Sequence, residues 1–187
     1  PAASPPGRSD ALLVYDAVRG VTVLFGGENA AGSALGDTWE WDGAAWTART
    51  FAVSPLPRAG AAGVFDPVGR RVLMVGGRSG ASTFGDMWTY QGSAWTQVTT
   101  GPMPTVRHSA AFAFDTHCGR AVLSGGAWLG NDYSDVWEFD GNAWALSSAG
   151  PSGRRAAALV YSEQLRAMTL FGGRSASTPR NDTWLRS

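Results

Sequence analysis

The side chains with the strongest potential for chemistry in this 187-residue chain are two histidines and one cysteine. A cysteine beside a histidine is the pairing that activates a thiolate nucleophile. His117 and Cys118 are adjacent in a predicted turn, while His108 lies before the preceding strand, up to about 25–30 Å away at ~3.3 Å per residue. The spacing therefore predicts a solvated turn, not a catalytic pair. A single cysteine also excludes an internal disulfide and a cysteine-based zinc site.

Glycine pairs are a second feature that could do chemistry, because a glycine-rich loop can cradle a phosphate. Four pairs occur, at Gly26-Gly27, Gly76-Gly77, Gly125-Gly126 and Gly172-Gly173. A phosphate-binding loop leads into a helix whose first amides bind the anion, whereas a predicted strand follows each of these pairs. We therefore expect the pairs to be structural, at positions where a side chain would collide with the neighbouring sheet.

Arginine and aspartate recur with the glycine pairs. The leading arginines are Arg8, Arg58, Arg107 and Arg154, at intervals of 50, 49 and 47 residues. The aspartates follow the pairs by ten or eleven residues, at Asp37, Asp86, Asp135 and Asp182. Four equivalent carboxylates around one axis would suit a hard cation. Because both residue types recur together, we favour the alternative in which each aspartate caps its own loop or pairs with an arginine.

The elements that carry these residues form four sequence repeats. A repeat at a steady period describes architecture before it describes chemistry. The repeats span about 8–57, 58–106, 107–153 and 154–187, and are called repeats 1 to 4 below. In repeat 1 the predicted strands are 11–16, 21–27, 37–41 and 45–50, with short apolar or alternating patterns. The fourth repeat stops before its last strand, and no segment has helical periodicity, so the sequence predicts an all-β chain.

Tryptophan is unusually frequent and keeps the same register. One tryptophan lies two residues after each aspartate, at Trp39, Trp88, Trp137 and Trp184. A second follows seven residues later in the first three repeats, at Trp46, Trp95 and Trp144. Such registration favours packing between sheets over stacking on a sugar.

Composition excludes several function classes. The formal net charge is zero, which argues against nucleic acid or an anionic membrane as the main partner. No apolar run approaches the roughly 18 residues of a membrane helix. All fifteen basic residues are arginine, which is typical of a GC-rich bacterial genome. The chain starts at Pro1 without a signal-peptide pattern, so we expect a processed or excised piece. An extracellular or cell-surface location is favoured over a cytoplasmic one.

The repeat resembles the kelch repeat family, and in particular its Trp-rich bacterial members. The features that carry this resemblance are the apolar strand, the glycine pair and the two aromatic residues seven positions apart. This resemblance implies a single β-propeller domain over 1–187. It would have four kelch blades, each a four-stranded antiparallel sheet, with the fourth blade lacking its outer strand. It also implies an anion-binding loop face, because arginines of kelch domains that recognise acidic peptides contact carboxylates there. Our candidate ligand-binding residues on this face are Arg78, Arg155, Arg174, Trp128, Tyr133, Glu28 and His108.

Two function classes remain open at this point. A non-catalytic module that binds a protein or acidic peptide is favoured, because no nucleophile–base set or metal-ligand spacing is present and no cofactor or metal is expected. The alternative is a carbohydrate-binding or carbohydrate-active propeller, similar to the oxidase or mutarotase relatives of the family. For the leading arginines, bonding to backbone carbonyls and aspartates is favoured over ligand binding. Closure also stays open, between a four-bladed ring with one thin blade and a partial propeller that further repeats or a second copy complete.

Overall fold

The fold contains β-strands and turns throughout residues 3–99, 101–147 and 150–187, which are the residues that this computed structural model describes. These ranges hold 21 strands and no helix, so the all-β prediction is confirmed. They likewise hold no helix of the length and apolarity that crossing a membrane requires.

Repeat 1 forms one antiparallel sheet in which neighbouring strands follow each other along the chain. Its strands are β1 (Leu12–Asp16), β2 (Val21–Phe25), β3 (Thr38–Trp41) and β4 (Trp46–Arg49), in the order β1-β2-β3-β4. Each strand is shorter than its predicted counterpart by one to two residues. Sheet 1 is the name used below for this sheet, and sheets 2 to 4 belong to repeats 2 to 4.

Repeats 2 and 3 build the same four-stranded sheet and add a small hairpin before the third long strand. Sheet 2 contains β5 (Ala62–Asp66), β6 (Arg71–Val75), β9 (Met87–Tyr90) and β10 (Trp95–Val98), with the hairpin β7 (Arg78–Ser79) and β8 (Ser82–Thr83). Sheet 3 contains β11 (Ala111–Asp115), β12 (Arg120–Ser124), β15 (Val136–Phe139) and β16 (Trp144–Leu146), with the hairpin β13 (Ala127–Trp128) and β14 (Asn131–Asp132).

Repeat 4 has only three long strands, as its sequence predicts. Sheet 4 contains β17 (Ala158–Ser162), β18 (Ala167–Phe171) and β21 (Thr183–Arg186), with the hairpin β19 (Arg174–Ser175) and β20 (Thr178–Pro179). The third long strand is therefore an edge strand. The three small hairpins were not predicted, because two-residue strands carry no periodic pattern.

In sheets 1 to 3 the turn between the first two strands follows from one residue type, whereas in sheet 4 the Ser162 hydroxyl accepts the turn amide of Leu165. Asp16 ends β1, and its carboxylate accepts the backbone N–H groups of Val18 and Arg19 at 3.0 and 3.1 Å. Asp66 and Asp115 accept the equivalent amides in repeats 2 and 3. An aspartate that bonds to amides two and three residues ahead stabilises a tight reversal of the chain. The aspartate at this position thus closes the hairpin.

The hydrophobic core lies between successive sheets. One cluster joins sheets 1 and 2, a second joins sheets 2 and 3, and a third joins sheets 3 and 4. Leu12 of sheet 1 packs over Gly63 of sheet 2, where a Cβ atom would lie 2.2 Å from the leucine Cδ1. Within the described ranges, no core cluster joins sheet 4 to sheet 1. The four sheets thus form a consecutive array whose two ends do not share a core.

Tryptophan burial depends on the position of its sheet in the array. Trp88, Trp95 and Trp144 are buried between sheets, as predicted. Trp39 and Trp46 of sheet 1 hold the same places in the repeat but are only partly buried and belong to none of the core clusters. The prediction of packing between sheets is wrong for these two residues, because no described sheet precedes sheet 1. Trp137 and Trp184 are also partly buried and pack against the second and third clusters.

Candidate functional site

Each leading arginine is fixed by a carboxylate and a backbone oxygen of its own repeat, and by a backbone oxygen two residues before it. The Arg58 guanidinium makes a bidentate ion pair with Asp86, with Nη1···Oδ1 and Nη2···Oδ2 distances of 2.5 and 2.9 Å. Its Nε donates to the Leu56 carbonyl, and Nη1 also donates to the Gly76 carbonyl. Trp88 Nε1 donates to the same carboxylate at 2.7 Å. The guanidinium is completely buried and has no surface left to offer a ligand.

The other repeats contain the same pair. Equivalent bidentate ion pairs join Arg8 to Asp37, Arg107 to Asp135 and Arg154 to Asp182. This arrangement was the favoured sequence interpretation of both residue types. Among the described residues, no group of three or more His, Cys, Asp or Glu side chains could hold a metal ion. The carboxylates are occupied by arginine instead.

The arginine partners keep these aspartates charged. Burial alone would raise the pKa of the Asp86 carboxyl, but the hydrogen bonds from Arg58 and Trp88 outweigh burial and hold that pKa below its ordinary value. The pKa of Asp135 is lowered by the same balance between burial and its bonds to Arg107 and Trp137. At Asp37 and Asp182 the arginine hydrogen bond is the largest cause, and it lowers the pKa.

The first three glycine pairs connect one repeat to the next. Gly76 and Gly77 have φ values of +68° and +103°, in the region that favours glycine. A Cβ atom on Gly76 would lie 2.2 Å from the Arg107 carbonyl oxygen, and the Gly77 N–H donates to that oxygen at 2.9 Å. The close approach of the following repeat therefore requires glycine, and no phosphate-binding helix follows.

The candidate ligand residues lie on the face that bears the loops between the second and third long strands. Isolated bridges pair Ser9 with Glu28, Ala59 with Arg78, His108 with Ala127 and Arg155 with Arg174. Glu28, Arg78 and Arg174, together with Ala127, thus occupy one equivalent position in the four repeats. We call the surface that contains these four bridges the loop face.

Carboxylates accompany two of the three candidate arginines. Arg78 Nη1 donates to Glu28 at 2.9 Å, and its other terminal nitrogen lies 3.5 Å from an Asp10 oxygen. Arg155 Nη1 donates to Asp132 at 2.8 Å. The positive charge expected on this face is therefore partly neutralised by three acidic side chains. Sequence reasoning did not single out Asp10 or Asp132, because neither lies at the repeated aspartate position.

Arg174 differs from the other two candidate arginines. Its side chain is exposed and makes no hydrogen bond or ion pair with the described residues. The hairpin that bears it is tied to the preceding repeat, because Asp132 accepts both Arg155 and the backbone N–H of Ala176. Exposed Trp128 and Leu129 lie on the hairpin of that preceding repeat. An unpaired cation and exposed apolar groups thus occupy two connected hairpins.

His108 and Tyr133 have local partners. Burial, and then the neighbouring cations Arg78 and Arg155, lower the pKa of the His108 imidazole, against the opposite effect of the acidic groups. The imidazole Nδ1 lies 3.1 Å from the Ser109 hydroxyl. The Tyr133 ring covers the buried Arg107 guanidinium at 4.5 Å. Glu28 bonds to Arg78, so the structure shows no Glu28–His108 pair for acid–base chemistry.

No family model matches this chain, and no curated protein is significantly similar to it.

Proposed function

We propose that this chain is a non-catalytic β-propeller module of the kelch type that binds an acidic protein segment on its loop face. The observations that support the architecture are a ~50-residue repeat, one antiparallel sheet in each repeat and cores between consecutive sheets. In this interpretation each sheet is a blade, and the fourth blade has three long strands.

The observation that carries the binding proposal is an exposed, unpaired Arg174 on a hairpin that is hydrogen-bonded to the hairpin bearing exposed Trp128 and Leu129. A guanidinium can form two parallel hydrogen bonds with one carboxylate, which makes arginine a specific receptor for acidic side chains. Trp128 and Leu129 add apolar surface that one extended peptide would contact together with the cation. Arg78 and Arg155 are weaker candidates, because their own carboxylates compete with a ligand.

Binding of fluorescent acidic peptides that contain one apolar anchor would test this function. Arg174→Ala should weaken binding by roughly tenfold or more, because it removes a charge-assisted contact. Arg166→Ala is the matched control, since Arg166 is an exposed arginine of the same repeat, in the turn between β17 and β18. Rising salt should weaken the same interaction, because exposed charges are screened.

Three results would contradict the proposal. The first is that no acidic peptide binds, and the second is that both arginine variants reduce binding equally. The third is that a glycan array identifies a ligand whose binding Arg174→Ala leaves unchanged, which would favour the carbohydrate alternative.

A further inference from the structure

Both ends of the array expose apolar side chains on a sheet face. Leu13 and Tyr15 are exposed on the outer face of sheet 1. Val160, Phe171 and Leu185 are exposed on the outer face of sheet 4. The phenylalanine is 53% exposed, whereas its equivalent in sheet 1, Phe25, is 1% exposed under sheet 2. Each end therefore presents a face that the interior sheets bury against a neighbour.

Backbone hydrogen bonds at the internal junctions follow one pattern. At the first junction, Gly27 N–H donates to the Arg58 carbonyl at 2.9 Å, and Arg58 N–H donates back to Leu35 at 2.9 Å. A third bond runs from Gly60 N–H to the Asp10 carbonyl at 2.8 Å. The second junction repeats all three bonds, between Gly77 and Arg107, Arg107 and Phe84, and Ser109 and Gly60. The third junction repeats them between Gly126 and Arg154, Arg154 and Tyr133, and Ala156 and Ser109.

The two ends hold the unmatched halves of this pattern. On sheet 4 the equivalent groups are the Gly173 N–H and the carbonyl oxygens of Arg180 and Ala156. On sheet 1 they are the Arg8 carbonyl and the N–H groups of Arg8 and Asp10. Within the described ranges none of these groups forms a backbone hydrogen bond. Each of the three free groups on sheet 4, one donor and two acceptors, thus has a complementary free group on sheet 1 among the described residues.

A tryptophan side chain continues the same series. Trp95 Nε1 donates to the Thr38 hydroxyl of the preceding sheet at 3.0 Å, and Trp144 Nε1 reaches Met87 Sδ at 3.2 Å. Trp46 is the equivalent residue in sheet 1, and its Nε1 has no partner among the described residues. The position of Thr38 is taken in sheet 4 by Thr183, whose hydroxyl could accept that N–H.

Open grooves lie at both ends. One of ≈460 Å³ on repeat 4 is lined by Ser175, Thr178, Pro179, Arg180, Asn181 and Asp182. At the first junction the equivalent surface is covered by the lead-in segment of repeat 2, because Gly36 there meets Pro57. Gly7 is the residue equivalent to Pro57 in the lead-in segment of repeat 1, and it lines a groove of ≈320 Å³ together with Arg8. The lead-in segment of another repeat 1 would fit the groove on repeat 4.

We infer that sheet 4 of one copy of this chain docks on sheet 1 of a second copy, head to tail. The new junction uses the same backbone bonds, the same tryptophan and the same apolar faces as the three junctions within the chain. A head-to-tail contact forms a ring when its rotation closes. Two copies joined twice make a ring of eight sheets, within the roughly 4–8 blades of propellers.

Solution mass tests this inference. Light scattering of the 187-residue chain should give a dimer of about 39 kDa, twice the 19.6 kDa of one chain. Phe171→Arg should raise the dissociation constant by roughly tenfold or more, because it places a charge in the apolar junction. Val53→Arg is the matched control, since Val53 is an exposed valine outside both end faces and should leave the mass unchanged. Circular dichroism would verify that each variant is folded.

Mixing two blocked variants distinguishes head-to-tail docking from contact between like faces. Phe171→Arg blocks the sheet 4 face and Tyr15→Arg blocks the sheet 1 face. Each variant alone should be monomeric, while an equimolar mixture should form a dimer through the one junction that stays intact. A wild-type monomer, a mixture that remains monomeric, or a wild-type species larger than a dimer would overturn the two-copy ring.

Discussion

Replacing Asp86 by asparagine removes the countercharge of a completely buried arginine and keeps the size of the side chain. The Arg58 side chain is 0% exposed, whereas Asp86 is 21% exposed. Breaking a buried ion pair by removing one partner costs roughly 3–5 kcal/mol, because the remaining charge stays buried and uncompensated. Since water reaches part of the carboxylate and asparagine keeps one acceptor oxygen, we expect a loss of about 3 kcal/mol in the free energy of unfolding.

The repeat supplies matched comparisons for this prediction. Asp135→Asn removes the partner of the buried Arg107 and should cost a similar amount. Asp182→Asn breaks the same pair with Arg154, but Asp182 is 50% exposed, so solvent can replace much of the lost interaction and the cost should be smaller. Urea unfolding followed by tryptophan fluorescence measures all three variants, in a Phe171→Arg background that prevents association.

Two results would refute this reasoning. If Asp86→Asn left the urea midpoint unchanged, the ion pair would not stabilise the buried guanidinium. If Asp86→Asn and Asp182→Asn cost the same, burial would not set the size of the effect.

Two further predictions concern tryptophan burial between sheets and the charge of the buried aspartates. Trp88→Ala should cost roughly 3–5 kcal/mol, the range for a core aromatic, whereas Trp39→Ala should cost clearly less because its face is partly exposed; equal losses in urea unfolding would contradict the burial argument. Stability should also fall in acid, because the pKa values of Asp86 and Asp135 are lowered in the folded state. The stabilisation from each charged aspartate is fully present above pH 3.8, the ordinary pKa, and is lost as pH falls through the lower pKa of the folded state. Melting temperatures measured at decreasing pH should therefore fall less for Asp86→Asn than for wild type.

Local chemistry made much of the fold predictable from the sequence. The long strands follow from short apolar runs, and the turns follow from residues such as Asp16, whose carboxylate bonds to amides two and three positions ahead. The pairing of arginine with aspartate was also predictable, because both residue types recur at the same period. The small hairpins were missed, since two residues are too few to form a pattern.

Contacts between repeats could not be predicted, because they join residues about 50 positions apart whose identities differ from repeat to repeat. Arg78 and Arg174 follow their glycine pairs in the same local sequence. The position equivalent to each in the preceding repeat is Glu28 for Arg78 and Ala127 for Arg174, so only the first finds a carboxylate there.

Trp88 and Trp39 likewise share a local motif, yet only Trp88 is covered by a preceding sheet. The sequence by itself determined the repeat, its strands and the internal arginine–aspartate pairs, because these depend on residues within one unit. Only the tertiary structure decided which equivalent side chains are buried or exposed, because that depends on the neighbouring sheet.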